Sequence, residues 1–188
     1  MTAPFQWIPA DRRKWTLIVL ALASAVLIAV LYVIGKPLEL PESEEALTGG
    51  ILDIEMPVSP ARADRVVSAW ESRGLVDTAS RQTMLDFLFL CIYPATLSLF
   101  CMLLADRRSG FMAALGIAFS WAVLFCTPLD AFENLLILRM LGGETFSPFP
   151  ELATFVARMK FSLVISALFG YPFLLLLQSF LQRFVRLQ

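Results

Sequence analysis

FMAALGIAFSWAVLFCTPLDAFENLLILRML, residues 111–141, decides the fold. From Phe111 to Leu129 it carries no charge. As a helix rising about 1.5 Å per residue, that run measures roughly 29 Å, the thickness of a bilayer's hydrocarbon core. Asp130, Glu133 and Asn134 follow at i, i+3 and i+4 and so project from one helical face. Ala131, Leu135, Leu136, Leu138 and Leu141 then prolong the helical pattern to the stop signal Gly142-Gly143. The stretch therefore predicts a helix that crosses a membrane, presents acids and an amide as it leaves the apolar core, and continues beyond it.

Working outward, three more apolar segments have spanning length: Trp15–Gly35, Phe87–Ala105 and Phe161–Leu181. Transmembrane helices are expected at about 15–35, 84–105, 110–141 (apolar span 111–129) and 155–183, within a single membrane domain, 1–188. The composition agrees. The chain is 58% hydrophobic and 16% charged, with a mean hydropathy of +0.72, whereas soluble domains are roughly 45–50% apolar and about 25% charged. The predicted fold class is all-α: a polytopic membrane protein, a four-transmembrane-helix bundle with a short extracytoplasmic amphipathic cap helix.

Several function classes are disfavoured. Fifteen Lys and Arg against sixteen Asp and Glu give no basic excess, so no nucleic-acid partner is expected. The absence of His removes the usual ligand of haem, histidine-rich di-iron and catalytic zinc sites, and the commonest general base. Cys91, Cys101 and Cys126 all fall within predicted spans with no C-x-x-C pair, the pattern of buried apolar cysteines. Neither a metal nor a cofactor is implied.

Loop charges orient the chain. Arg12, Arg13 and Lys14 precede the first span, Arg107 and Arg108 sit in the turn between the second and third, and Arg183 and Arg186 follow the fourth. The positive-inside rule places both termini in the cytoplasm of a cell carrying this protein in its inner membrane. Glu39, Glu42, Glu44, Glu45, Asp53 and Glu55 of the first connection, and Glu144 and Glu151 of the second outer one, then face outward. The apolar run of the first span continues past the Ala23–Ala25 triplet to Ile34, too long for a signal-peptide core of about 7–15 residues, so a retained anchor is expected.

The connection 36–82 is read as an acidic, proline-bearing strap followed by the cap helix. Ser59-Pro60 pairs an N-cap with a proline at the first helical position, and Gly74 is a stop, which predicts a helix over 60–73. Ala63, Val66, Val67 and Trp70 form its apolar face. Asp53 and Glu55 on the strap are expected to be solvated, with cation binding as the alternative. Pro94, Pro128 and Pro172, in or beside spans, predict kinks.

Charge also marks the outer end of each span: Lys36, Asp86, Asp130 and Lys160. Together with Tyr93, seven residues beyond Asp86, and with Glu133, Asn134 and Arg158, they form the candidate site. As a structural collar, these groups would tie the cap to the bundle by ion pairs. As a binding site, opposite charges around a polar pocket suit a lipid-like or amphipathic ligand, or a membrane-protein partner, besides the bilayer itself. As an intramembrane enzyme acting on a lipid or isoprenoid, Asp130 and Glu133 would handle protons with Lys160 as electrophile. A small oligomeric transporter is a further alternative, although no inverted repeat is evident.

Three stretches together carry a resemblance: Ile51-Leu52-Asp53-Ile54-Glu55 with Trp70, Leu85-Asp86-Phe87-Leu88-Phe89 with Tyr93, and Asp130-Ala131-Phe132-Glu133-Asn134 with Lys160. The chain resembles a group of bacterial four-helix integral membrane proteins that share an L-D-x-x-F…Y element, a D-x-x-E-N element and a later lysine. The resemblance implies a four-helix membrane fold and no particular activity.

Overall fold

The computed structural model describes residues 2–41 and 47–185. Glu42, Glu44 and Glu45 of the strap and Arg186 lie outside the described residues. Helix α1 spans Ala10–Gly35, α2 Leu52–Glu55, α3 Pro60–Glu71 and α4 Val76–Ala105. Helix α5 joins Gly110–Ala122 to Cys126–Leu141 through a 3-10 turn at Val123–Phe125. Helix α6 joins Phe149–Ile165 to Tyr171–Val185 through a π-helical segment, Ser166–Gly170. Among the described residues there is no strand, only an isolated bridge between Leu40 and Leu47. The four long helices α1, α4, α5 and α6 are long and apolar enough to cross a membrane. Around α1 the large apolar side chains Val19, Leu22, Val26 and Val33 are all exposed.

The three prolines leave different marks, each traceable to the donor that proline lacks. Pro94 lies within a continuous α4 and cannot serve the carbonyl of Leu90; the Thr127 hydroxyl of α5 donates to that oxygen instead, at 3.0 Å. Pro128 follows the tightened turn at Val123–Phe125. Before Pro172 the ladder widens, with the Tyr171 N–H reaching Ser166 O. In that register the next carbonyl, Ala167, faces a proline, and the Cys101 thiol donates to it at 3.8 Å.

The chain packs as two compact units, and each long helix contributes a segment to both. The first unit contains Met1–Leu22, Ile92–Cys126 and Phe161–Gln188. In it α4 and α5 run antiparallel and are clasped by two buried serines: Ser98 Oγ donates to Ser120 O at 2.6 Å and Ser120 Oγ to Ser98 O at 2.7 Å. Paired hydroxyls of this kind join helices where apolar burial offers no drive. The Tyr171 phenol, fully buried, donates to Met112 O at 2.9 Å and lies over Gly116, where a Cβ would collide with its ring and oxygen. Arg13 pairs with Asp106 at 3.2 Å in the same unit.

The second unit contains Ala23–Cys91 and Thr127–Lys160. Ser59 caps α3, its hydroxyl accepting from the Arg62 N–H at 3.3 Å, and Gly74 turns the chain with φ +66°. Ala63, Val66, Val67 and Trp70 of α3 are buried with Leu38, Ile54, Leu136, Ile137 and Met140 in one core. The Trp70 indole donates to Leu38 O at 3.1 Å, satisfying the polar atom of the largest fully buried side chain. This core brings α2 and α3 against α5 and the start of α6.

Gly116→Ala is expected to destabilise the protein by about 1–3 kcal/mol through overpacking. Adding Tyr171→Phe, which deletes the colliding oxygen, should recover part of that loss in a thermal melt in detergent.

Candidate functional site

The site lies within the second unit and centres on Lys160. One turn and a third of α5 supplies Asp130, Glu133 and Asn134 from a single face, and all three are buried. Lys160, near the middle of the Phe149–Ile165 segment, enters the same space with only 10% of its side chain exposed. Its Nζ lies 2.6 Å from Asp130 Oδ1 and 2.9 Å from Glu133 Oε2. A third carboxylate, Glu55 Oε2, approaches to 3.8 Å. The side chains of Asp130 and Glu133 are 3% and 1% exposed, so this is a buried charge cluster and not a surface pair.

Acids outnumber the ammonium they share. Glu133 Oε2 is close to Lys160, and Glu133 Oε1 has no hydrogen-bond partner among the described residues. Asp86 of α4 stands beside the cluster, accepting from Asn134 Nδ2 at 2.8 Å. For Glu55, burial outweighs the attraction of Lys160, and the neighbouring charges of Asp86 and Asp130 act in the same direction as burial. Its carboxyl is pushed above the ordinary carboxylate range.

The sequence candidates thus separate. Asp130, Glu133, Asn134, Lys160 and Asp86 are brought together. Lys36 instead pairs with Glu39 at 2.8 Å on an exposed surface, its ammonium over the Tyr32 ring. Arg158 is exposed on α6. Tyr93 belongs to the first unit.

Glu55 is the member that sequence reasoning placed elsewhere. It and Asp53 turn to different partners: Asp53 accepts from Arg62 at 3.0 Å and from the Gly49 N–H, while Glu55 joins Lys160. The usable signal was apolar: Ile51, one turn before Glu55, packs against the core and Ile54 is fully buried, so this stretch of strap is docked. Among the described residues no group of three or more acids or thiols is placed to hold a metal ion. Chemically the arrangement offers one cation, several acceptors and a carboxyl inclined to hold a proton.

No family model, curated protein or solved structure matches the chain.

Replacing Asn134 by Leu strands the Asp86 carboxylate without its amide donor and is expected to cost about 1–3 kcal/mol. Lys36→Met should leave the melting temperature unchanged, because that ammonium is solvated.

Proposed function

We propose that this is a multi-pass inner-membrane protein, with cytoplasmic termini, that binds a lipid-like or amphipathic ligand, or a membrane partner, through the Lys160 cluster. Four apolar helices support insertion, since exposed side chains such as Val19, Leu22 and Val33 on α1 are suited to lipid and not to water. The basic residues Arg12, Arg13, Lys14, Arg107, Arg108 and Arg183 support the orientation by the positive-inside rule. On that orientation α3 is the extracytoplasmic cap, and the cluster lies at the outer end of a four-helix bundle.

The observation that carries the binding reading is the imbalance at Lys160. Three carboxylates, two of them buried, converge on one ammonium, and Glu133 Oε1 has no hydrogen-bond partner among the described residues. Buried acceptors left unmet cost free energy that a ligand head group bearing hydrogen-bond donors recovers on binding. A partner's side chain or an amphipathic molecule with a hydroxyl or ammonium head fits that requirement.

One observation favours the enzymatic alternative. Glu55, inclined to hold a proton, and Glu133 both lie within 4 Å of the Lys160 ammonium, so the site combines a proton donor with a proton acceptor in the manner of acid/base catalysis on a lipid or isoprenoid.

Native mass spectrometry of the protein released from its own membrane tests the binding reading. A specific amphipathic adduct or a stoichiometric membrane partner is expected on the wild type and is expected to be lost in Glu133→Gln. Protein that carries neither, or an adduct retained unchanged in Glu133→Gln, overturns the reading.

A further inference from the structure

Glu55 reaches the cluster from outside the long helices. It ends α2, a single turn closed by Glu55 N–H to Ile51 O at 3.1 Å and Met56 N–H to Leu52 O at 3.0 Å. So short a helix has little stability of its own. Its place is set by what its side chains meet: Ile54 in the core, Asp53 on Arg62, and Glu55 at Lys160.

The last of these contacts does not balance if every acid is ionised. Lys160 neutralises one carboxylate, yet Asp130, Glu133 and Glu55 all lie within 4 Å of its nitrogen, with side chains only 3%, 1% and 16% exposed. Surplus buried negative charge is far more costly than a buried neutral acid. Two carboxylates repel, whereas a carboxyl and a carboxylate form a strong charge-assisted hydrogen bond. Glu133 Oε1 has no hydrogen-bond partner among the described residues, and Glu55 and Glu133 share the Lys160 ammonium within 4 Å.

We propose that the cluster is a proton-binding site: one proton, shared between the Glu55 and Glu133 carboxyls, latches α2 onto the long helices. The charged groups facing this pair are Lys160 of α6, Asp130 of α5 and Asp86 of α4. Asp53 and Arg62 satisfy each other at 3.0 Å, and Arg65 and Arg158 are exposed. Burial and the two aspartates oppose an ionised Glu55 and prevail over Lys160 and Glu133, which favour it. Because the Glu55 carboxyl titrates higher in the folded protein than in a free chain, the latch is fully engaged below the ordinary glutamate range. It is lost as pH rises through the folded value, when an ionised Glu55 repels Glu133 and Asp130. This latch concerns the chain alone and does not depend on a ligand occupying the site.

Hydrogen exchange on the full chain in detergent, corrected for the intrinsic pH dependence of exchange, reads the latch directly. Across roughly pH 5 to 9, protection of the Glu55 and Met56 amides is expected to fall about tenfold per pH unit above the ordinary glutamate range, the slope of a one-proton release, and to level off where the folded carboxyl ionises. Glu55→Gln, which keeps a donor toward Glu133 and cannot ionise, is expected to remove that slope while retaining protection. Infrared spectroscopy of the wild type needs no variant: a deuterium-sensitive carboxyl C=O band should disappear at the pH where that fall levels off. Protection that does not change with pH, a slope that persists in Glu55→Gln, or a carboxyl band that remains after protection has levelled off would overturn the proposal.

Discussion

A single buried ammonium holds the second unit in register. Lys160 comes from α6, Asp130 and Glu133 from α5 and Glu55 from the strap, so one charge joins three parts of the chain that are distant in sequence. Desolvating that charge is costly and its carboxylates largely repay the cost, which is why Asp130 and Glu133 cannot move away from it independently. The apolar core around Trp70 supplies the drive for α2 and α3 to pack there. The ion cluster then selects one arrangement among the many that apolar burial alone would accept.

Elsewhere the organising constraint is hydrogen-bond accounting in apolar surroundings. Prolines remove donors from α4 and α6, and the freed carbonyls are met by the Thr127 hydroxyl and the Cys101 thiol. Ser98 and Ser120 exchange hydrogen bonds with each other's backbones, and the Tyr171 phenol finds Met112 O over the bare Cα of Gly116. These short polar contacts let helices covered with apolar side chains approach at defined positions. Each is small, about a kilocalorie or less per bond, so they specify packing more than they drive it.

Much of the helical content was legible in the sequence because its signals are local. The uncharged run Phe111–Leu129 with the periodic residues after it corresponds to the long α5, and Ser59-Pro60 with Gly74 brackets α3, whose buried face is Ala63, Val66, Val67 and Trp70. Asp130, Glu133 and Asn134 share a buried face because i, i+3, i+4 spacing dictates it on any helix. What spacing cannot supply is the partner across space. Lys36 and Lys160 both end spans, yet Glu39, three residues from Lys36, captures it locally while Lys160 has no acid within a turn on its own helix. Glu55 was read as solvated because α2 is too short to show periodicity, and its burial follows from the docking of Ile51 and Ile54. The widened turn falls where Pro172 predicted a kink, but the thiol from another helix that meets the freed carbonyl leaves no local signature.

The asymmetry of the charge cluster is open to a direct thermal comparison of Lys160→Met with Asp130→Asn in detergent. With several acids sharing one ammonium, removing the lysine leaves the remaining carboxylates buried without compensation, a loss of about 3–5 kcal/mol, whereas removing one acid leaves Lys160 paired with Glu133 and costs distinctly less. That order of melting temperatures, with Lys160→Met far below Asp130→Asn, is the result expected of an ammonium that organises the unit. Equal destabilisation, or a Lys160→Met protein as stable as the wild type, would contradict it.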